Sequence, residues 1–159
     1  MKKLFLTIVA AMLLLTGCAS NVERDDSPGK MANITYDEIQ EKIKNKESFV
    51  YMLVQTGCPA CMATEESLVE YLKDHNVTMY MFNLSEAFRA KNDEDDMELL
   101  EQQRKDYFDW YMKTADEDSV YTPTFFVFKD GKLSDFKIGG LNEEGLEQFV
   151  VDNELDVLK

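Results

Sequence analysis

Apolar positions along the chain fall partly in continuous runs and partly at helical spacing, a pattern typical of an α/β domain. The run Phe49–Val54 contains no charged residue and predicts a buried strand, and the run 77–84 predicts a second one. Between them, the segment 62–73 has apolar residues at helical spacing and predicts a connecting helix. Two strands joined through a helix should lie parallel, with a right-handed crossover.

A further helix is predicted before the first strand, and it ends at about Lys46. Ile39 and Ile43 share one face of this helix, which indicates that the face packs inward. Thr35 or Asn33 can cap its N-terminus, because either side chain can accept a hydrogen bond from a free backbone N–H group. The folded domain is therefore predicted to begin at about residue 33.

The C-terminal part of the chain predicts a β-hairpin followed by a closing helix. An apolar strand opens with Thr122-Pro123, the segment 130–132 forms the turn, and 133–138 supplies the antiparallel partner. A proline at the first residue of a strand is tolerated, because the N–H that it lacks needs no partner there. The last helix is capped by Asn142 and is predicted to run to about Val157.

The stretch 85–119 is unusually acidic, with twelve acidic and five basic residues, yet it also carries a helical pattern. A helix is predicted over about 93–114, and its acids are interpreted as a solvated face in preference to a metal site. Its aromatic residues favour packing into the core, whereas Trp110 falls off the main stripe and is a candidate for lining a binding groove. The residues at helical spacing are Met97, Leu100, Arg104, Tyr107, Phe108 and Tyr111.

The N-terminus has the pattern of an export signal. Lys2 and Lys3 precede an apolar segment, 4–15, and small residues then lead into Cys18. This pattern resembles a bacterial lipoprotein signal, which implies cleavage before Cys18, a lipid on its sulfur, and anchoring on the extracytoplasmic face of the cell membrane. The alternative is an ordinary secretory signal or an uncleaved anchor, although the apolar segment is too short to predict a membrane span.

These patterns divide the chain into three parts. Residues 1–17 are predicted to be the signal peptide, and 33–159 the folded domain. The segment 18–32 is predicted to be a flexible tether, because it contains Asp, Ser, Pro and Gly without apolar periodicity.

The charge balance excludes some partners. The full chain has a net charge of −14, and without Lys2 and Lys3 it has 15 basic and 31 acidic residues, a net charge near −16. Nucleic acid is therefore not expected as a partner, and an anionic membrane surface would repel the domain. Membrane attachment is expected to come from the lipid alone.

The segment Cys58-Pro59-Ala60-Cys61 carries the main chemical signal. It follows a predicted strand and a turn, and it opens the helix that comes next. The first cysteine would cap this helix, whose free N–H groups and partial positive charge stabilise a thiolate. The second lies one turn further on, close enough to form a disulfide. The pair is thus predicted to cycle between dithiol and disulfide.

A strand ending in CxxC, a second strand, a helical excursion, and Thr-Pro opening a hairpin before a last helix together resemble the thioredoxin-like fold. The resemblance covers 34–157 and implies a central mixed β-sheet flanked by helices, with the long acidic helix inserted before the proline strand. It implies that Cys58 is the nucleophile, that Cys61 is the resolving thiol, and that the Pro123 peptide bond is cis. The residues that it assigns to substrate binding are Pro59, Ala60, Thr122 and Pro123.

The chain departs from the thioredoxin pattern at several positions, and Pro59-Ala60 stands between the cysteines where thioredoxins have Gly-Pro. Gly57 stands where thioredoxins place Trp, and Met52 stands where they carry a buried Asp that accepts the proton of the resolving thiol. Water or a carboxylate of the acidic helix is the expected substitute. Within the family, the short, acidic, lipid-anchored form is similar to the thioredoxin-like lipoproteins of Gram-positive bacteria, including the bacteriocin transport accessory proteins.

The expected function is thiol–disulfide exchange with the thiols and disulfides of secreted or surface proteins and peptides, recharged by an unidentified redox partner. No His lies between the cysteines to stabilise a thiolate, which favours a reductant or isomerase over an oxidant. The alternative is an accessory protein that binds a secreted peptide or bacteriocin with little redox activity. No cofactor is expected, and one CxxC with the single residue His75 supplies too few ligands for a closed zinc site.

Overall fold

The computed structural model describes residues 27–89 and 96–157. In these ranges the strands are β1 (Lys30–Asn33), β2 (Phe49–Val54), β3 (Thr78–Asn83), β4 (Thr124–Lys129) and β5 (Lys132–Ile138). The helices are α1 (Tyr36–Lys44), α2 (Pro59–Tyr71), α3 (Leu84–Ala87), α4 (Met97–Ala115) and α5 (Glu143–Asn153), followed by a 3₁₀ turn, Leu155–Val157.

The strands form one mixed sheet in the order β1-β3-β2-β4-β5. β1 and β2 both lie parallel to β3, whereas β4 is antiparallel to β2 and β5 is antiparallel to β4. This arrangement confirms the predicted α/β class and the parallel crossover from β2 through α2 to β3.

The strand β1 corrects the predicted boundary of the tether. Residues 30–32 were assigned to a flexible segment, but Lys30 pairs with Thr78 and the next residues continue this parallel register. Gly29 permits the close approach, because a Cβ there would overlap the carbonyl oxygens of His75 and Val77. The signal peptide, Cys18 and most of the tether lie outside the described residues.

The side chains of β2 alternate between the two faces of the sheet, and all six of its residues are buried. Val50, Met52 and Val54 pack with Cys61 on the face covered by α2 and α5. We call this cluster the cysteine-side core, and three of its sixteen buried residues are aromatic. Its members are Val50, Met52, Val54, Cys61, Leu68, Tyr71, Leu72, Val77, Met79, Met81, Phe125, Val127, Leu146, Phe149, Val150 and Leu155.

The opposite face of the sheet packs against α1 and α4 and is dominated by aromatic rings. We call this cluster the aromatic core, and seven of its eleven buried residues are aromatic. The acidic helix therefore packs through its aromatic stripe, as predicted. The members are Ile34, Ile39, Phe49, Tyr51, Leu53, Phe82, Tyr107, Tyr111, Ala115, Phe126 and Phe128.

The helix ends agree with the predictions at some positions and differ at others. Thr35 caps α1 and forms a capping box with Glu38, and Asn142 caps α5 as predicted. The last helix ends at Asn153, not at about 157, because Glu154 adopts a left-handed conformation with φ +55°.

The acidic helix α4 begins after an Asp96 cap, and the predicted start at 93 lies outside the described residues. Its carboxylates, among them Glu101, Asp106 and Asp109, are exposed, which agrees with a solvated face. Trp110 stacks on Phe128, with ring centroids 6.3 Å apart, so it packs against the aromatic core. None of the described helices is both long and apolar enough to cross a lipid bilayer.

Candidate functional site

The two cysteines of the CxxC segment lie at the junction between β2 and α2. Cys58 and Cys61 are joined in a disulfide, with their Cα atoms 5.3 Å apart. The preceding turn is closed by a hydrogen bond from the Cys58 N–H to the Gln55 carbonyl, 3.2 Å long. Gly57 occupies this turn with φ +78°, a conformation that glycine adopts without strain, and a Cβ built there meets no atom within 4 Å.

Cys58 is the N-cap of α2, and its Sγ accepts a hydrogen bond from the Cys61 N–H at 3.1 Å. The helix starts at Pro59, three residues earlier than predicted. Proline is favoured at the first helical position, because the N–H that it lacks would have no partner within the helix. No acidic residue lies in this first turn to oppose a thiolate. After reduction, the helix N-terminus would therefore stabilise negative charge on Cys58 Sγ.

The two sulfur atoms differ in access. Cys58 is half-buried, whereas Cys61 is 1% exposed and lies in the cysteine-side core. Pro59 and Ala60, which separate them, are exposed. A macromolecular disulfide can therefore reach Cys58 more readily than Cys61.

The loop before β4 faces Cys58. The Thr122-Pro123 bond is cis, as predicted. The Thr122 carbonyl oxygen lies 3.6 Å from Cys58 Sγ, and the Thr122 hydroxyl is placed to donate to the same sulfur at 3.7 Å. The structure thus brings Cys58, Cys61, Thr122 and Pro123 together although more than sixty residues separate the two pairs in the chain.

A loop that the sequence did not assign to the site packs on the first turns of α2. A Cβ at Gly140 would lie 2.8 Å from Thr64 Oγ1 and 3.4 Å from the Ala60 carbonyl oxygen. The Leu141 N–H donates to the same Thr64 hydroxyl at 3.1 Å. Glycine allows this close approach, because a Cβ at position 140 would require either the Thr64 side chain or the loop to shift.

Tyr111 of the acidic helix connects α4 to the loop that faces Cys58. The Thr124 hydroxyl donates to the Tyr121 carbonyl at 2.7 Å, which leaves Thr124 Oγ1 to accept from the Tyr111 hydroxyl at 3.1 Å. Tyr111 in turn accepts from the Tyr121 N–H at 3.3 Å. These bonds hold the residues on both sides of Thr122-Pro123, and both Tyr111 and Thr124 are fully buried.

The other side of the CxxC turn is fixed by polar contacts with the end of β3. The Thr56 N–H donates to Ser85 Oγ at 3.2 Å, and the Ser85 N–H donates to Asn83 Oδ1 at 3.0 Å. The Asn83 amide also donates to the Thr56 hydroxyl at 3.3 Å. The turn before Cys58 is therefore anchored to a neighbouring strand.

Within residues 27–89 and 96–157, no carboxylate is buried in the cluster around Cys61. Met52 is fully buried in the same apolar cluster as Cys61. The buried polar side chains of residues 27–89 and 96–157 are Thr64, Thr124 and Asn153. The described part of the acidic helix, α4, packs on the opposite face of the sheet, so the expectation that one of its carboxylates takes the Cys61 proton is not supported.

Two tyrosines of the aromatic core are deeply buried. Burial raises the pKa of Tyr51 and of Tyr107 well above the usual value, and the repulsion from neighbouring tyrosines adds to it. The two hydroxyl groups are close enough to interact with each other, but neither makes a hydrogen bond of good geometry. Both side chains are therefore neutral over the physiological range.

Comparison with solved structures supports the architecture. The thioredoxin of Malassezia sympodialis superposes with a TM-score of 0.52 at 15% identity, covering 80% of this chain and 93% of that one. The chain has the thioredoxin fold. The N21Q mutant thioredoxin from Halobacterium salinarum NRC-1 has a TM-score of 0.51 at 13% identity, with 80% and 93% covered.

A third structure with this fold is that of the reduced Schistosoma mansoni thioredoxin pre-protein, with a TM-score of 0.50 at 12% identity. It matches over 79% of this chain and 99% of its own. No family model matches the sequence, and no curated protein matches it with significance. At these identities the likeness to thioredoxins concerns the fold, and the chemistry must be argued from the site itself.

Proposed function

We propose that this protein is a thiol–disulfide oxidoreductase that exchanges disulfides with secreted or surface proteins. The observation that carries the proposal is the Cys58–Cys61 disulfide at the N-terminus of α2, with its accessible sulfur facing the Thr122-Pro123 loop. An N-terminal helix position stabilises a thiolate, and a one-turn spacing lets the second thiol reach the first.

The reaction proceeds in two exchanges. In the reduced protein, the Cys58 thiolate attacks one sulfur of a client disulfide, forms a mixed disulfide and releases the first client thiolate. Cys61 then loses its proton to water and attacks Cys58 Sγ, which restores the Cys58–Cys61 disulfide and releases the second client thiolate. The client gains two electrons and this protein loses two, so an external dithiol partner must reduce the site again.

The Thr122-Pro123 loop would orient the client during these steps. The Thr122 hydroxyl donates toward Cys58 Sγ, so it adds a second donor to the Cys61 N–H for a developing thiolate. The exposed residues Pro59 and Ala60 lie on the surface that a client would cover. We assign these residues to client binding, as the resemblance to thioredoxins implies.

We place the chemistry on the reducing or isomerising side. Pro59 and Ala60 bring no side-chain donor to the Cys58 sulfur, and the net charge of −14 disfavours a further negative charge. A less stabilised thiolate makes the disulfide harder to reduce, and hence the dithiol a better reductant. The reduction potential of the pair tests this: a value near about −270 mV indicates a reductant, and one near about −120 mV an oxidant.

We further propose that the protein acts from the extracytoplasmic face of the membrane, held by a lipid on Cys18. The support is the sequence that ends in Leu15-Thr16-Gly17-Cys18 after an apolar segment. Cys18→Ala should release the protein into the medium with its exchange activity intact. Retention of this variant on the membrane would contradict the assignment.

A second candidate function is the binding of a secreted peptide or bacteriocin without turnover. The fully buried Met52 favours it, since the site lacks the acid that assists resolution in thioredoxins. A redox titration separates the two functions, because a binding protein need not have a potential in the range of about −270 to −120 mV.

The mixed disulfide provides the direct test of the main proposal. Cys61→Ser removes the resolving thiol, so this variant should trap covalent adducts with a disulfide-containing protein such as insulin, visible on a non-reducing gel. Cys58→Ser is the matched control and should trap none, because its remaining thiol is buried. Adducts with Cys58→Ser but not with Cys61→Ser would reverse the two roles, and their absence from both would favour the binding function.

A further inference from the structure

The buried face of α2 carries a threonine one turn after Cys61. Thr64 is 1% exposed, and it lies with Leu68 and Tyr71 on the face of the helix that packs inward. A buried hydroxyl destabilises a fold unless it is hydrogen-bonded, and valine would fill nearly the same volume without this requirement. Packing alone therefore does not explain a hydroxyl at this position.

The Thr64 hydroxyl holds a loop that follows β5, the segment 139–141, which we call the glycine loop. The Leu141 N–H donates to Thr64 Oγ1 at 3.1 Å, and the Leu141 side chain packs against the cysteine-side core. Gly140 lies so close that a Cβ there would be 2.8 Å from Thr64 Oγ1 and 3.4 Å from the Ala60 carbonyl oxygen. The glycine loop therefore contacts both the hydroxyl and the residue that precedes Cys61.

The glycine loop is also bonded to the loop that faces Cys58. The Gly139 N–H donates to the Pro123 carbonyl oxygen at 2.9 Å, next to the pairing of β4 with β5. The Thr122 carbonyl oxygen lies 3.6 Å from Cys58 Sγ, and the Thr122 hydroxyl lies 3.7 Å from it. The contacts of Thr64 thus connect the helix that carries both cysteines to the residues that face the accessible sulfur.

We propose that Thr64 is a positioning residue for disulfide exchange, whose hydroxyl fixes the glycine loop, and through it Thr122-Pro123, relative to Cys58. The inference deepens the thiol–disulfide exchange proposed above and rests on it. Attack on a disulfide needs aligned sulfur atoms, and a displacement of about 1 Å can lower a rate by about a hundredfold. A displaced loop also withdraws the Thr122 hydroxyl from the Cys58 sulfur, where it would donate to a thiolate.

The first test compares Thr64→Val with Thr64→Ser. Valine leaves the Leu141 N–H without its acceptor, so kcat/KM for the reduction of insulin should fall by about tenfold. Serine keeps the hydroxyl and should retain at least about half of the wild-type kcat/KM. Ser67→Ala is a further control on the same helix, because the Ser67 hydroxyl donates to the Ala63 carbonyl within α2 and should not affect the rate.

The second readout is the pH at which Cys58 of the reduced protein becomes reactive toward iodoacetamide. Thr64→Val should move the midpoint of this alkylation to higher pH, because the thiolate loses the Thr122 hydroxyl as a donor. Thr64→Ser and Ser67→Ala should keep the wild-type midpoint. A loss of stability without displacement of the loop would leave the midpoint unchanged in all three variants.

A double-mutant cycle tests whether Thr64 acts through the glycine loop. Gly140→Ala directs a Cβ against Thr64 Oγ1 and should lower kcat/KM by itself. Thr64→Ala removes Oγ1, so adding Gly140→Ala to it should cause little further loss, and the two effects should be non-additive. Gly140 is exposed, so Gly140→Ala also reports on this contact if Thr64→Val does not fold.

Three results would contradict the assignment. Wild-type kcat/KM and midpoint in Thr64→Val would show that the hydroxyl does not position the site. Equal losses in Thr64→Val and Thr64→Ser would assign Thr64 to packing only, and additive effects of Thr64→Ala and Gly140→Ala would exclude action through the loop. If the wild-type protein reduced no disulfide while Thr64→Val still shifted the midpoint, the exchange function, and not the positioning of Thr122 by Thr64, would be wrong.

Discussion

On one face of the sheet, Cys61 lies in a cluster with Met52 and Val54 and no buried acid or base among the described residues. On the other face, the Tyr111 hydroxyl lies in an aromatic cluster and is bonded to Thr124 and to the Tyr121 backbone. The cysteine-side core therefore surrounds Cys61 with apolar side chains. Hydrogen bonds that position the loop facing Cys58 come from Tyr111 of the aromatic core.

The loop that faces the cysteines is thus held by hydrogen bonds from the opposite side of the sheet. The two sets of side chains come from alternating positions of the same strands, as Met52 and Tyr51 illustrate. A shift of one residue in the register of a strand would move each of its side chains to the other face of the sheet. A single register therefore determines both the cysteine-side core and the aromatic core. The acidic helix contributes through its buried aromatic side, not through its carboxylates.

The largest effect is expected from placing an acid on the cysteine side. Met52→Asp buries an unpaired polar group, which should lower the free energy of unfolding by about 2–7 kcal/mol. Because burial raises the pKa of a carboxyl group, the folded state would bind the proton more tightly than the unfolded state, and stability would fall further as the pH rises above about 4. Urea denaturation at pH 4.5 and pH 7.5 measures both changes.

The control for this prediction is Met52→Leu, which preserves volume and should cost less than about 1.5 kcal/mol without pH dependence. If the two variants lowered the free energy of unfolding equally, the cysteine-side core would tolerate a buried carboxyl group. The asymmetry between the two faces would then be lost.

The second effect concerns the packing of the aromatic core. The Tyr107 ring lies 4.8 Å from the Phe82 ring and 5.3 Å from the Tyr36 ring, measured between centroids. Tyr107→Ala should cost about 3–5 kcal/mol, because it leaves a cavity between α4 and the sheet. Thermal or urea denaturation measures it, and a cost below about 1 kcal/mol would mean that α4 is not held by this cluster.

The third effect tests the connection between the two faces. Tyr111→Phe removes a hydroxyl that accepts from the part-buried Tyr121 N–H and donates to the buried Thr124 hydroxyl, so both groups lose a partner at a cost of about 1–3 kcal/mol. The loop around Thr122 should become less well positioned, and kcat/KM for a protein disulfide should fall severalfold.

Tyr107→Phe is the matched control for this variant, since the Tyr107 hydroxyl makes no hydrogen bond of good geometry. It should change neither stability nor kcat/KM appreciably. The reduction potential of both variants should also be measured, because a purely structural role of Tyr111 would leave this potential unchanged. Identical potentials and rates for Tyr111→Phe and the wild type would remove the link between the aromatic core and the site.

The smallest effect appears at alkaline pH. Burial holds the pKa of Tyr51 and Tyr107 above the value of about 10 in the unfolded chain, so their contribution to stability is complete below pH 10 and is lost as the pH rises. Each tyrosine should lower the free energy of unfolding by about 1.4 kcal/mol at pH 11. Tyr107→Phe should therefore lose less stability between pH 9 and pH 11 than the wild type, and unchanged pH dependence would contradict its burial as a neutral group.

The sequence was sufficient for features that depend on local pattern. The buried run of β2, the Thr35 and Asn142 caps, and the CxxC pair at a helix N-terminus follow from periodicity and capping chemistry. The cis bond before Pro123 followed from the family resemblance.

Features that depend on distant pairing could not be predicted in the same way. β1 has only two apolar residues, Met31 and Ala32, and it exists as a strand because β3 pairs with it. The Tyr111 hydroxyl meets the Thr124 hydroxyl only once α4 has docked on the sheet. The cavity lined by Gln55, Phe88, Phe108 and Val120 likewise has walls from four separate segments, so no single stretch of sequence predicts it.

The backbone at Gly57 limits how this surface can evolve or be engineered. The family resemblance places a tryptophan directly before the first cysteine of thioredoxins, and the space beside Gly57 is open enough to receive one. Its φ of +78° nevertheless disfavours any L side chain there, so a single substitution would strain the turn that presents Cys58. A tryptophan at position 57 would need a different turn conformation before Cys58. A change of backbone conformation, and not a point mutation alone, therefore separates the surface of this chain from that of thioredoxins.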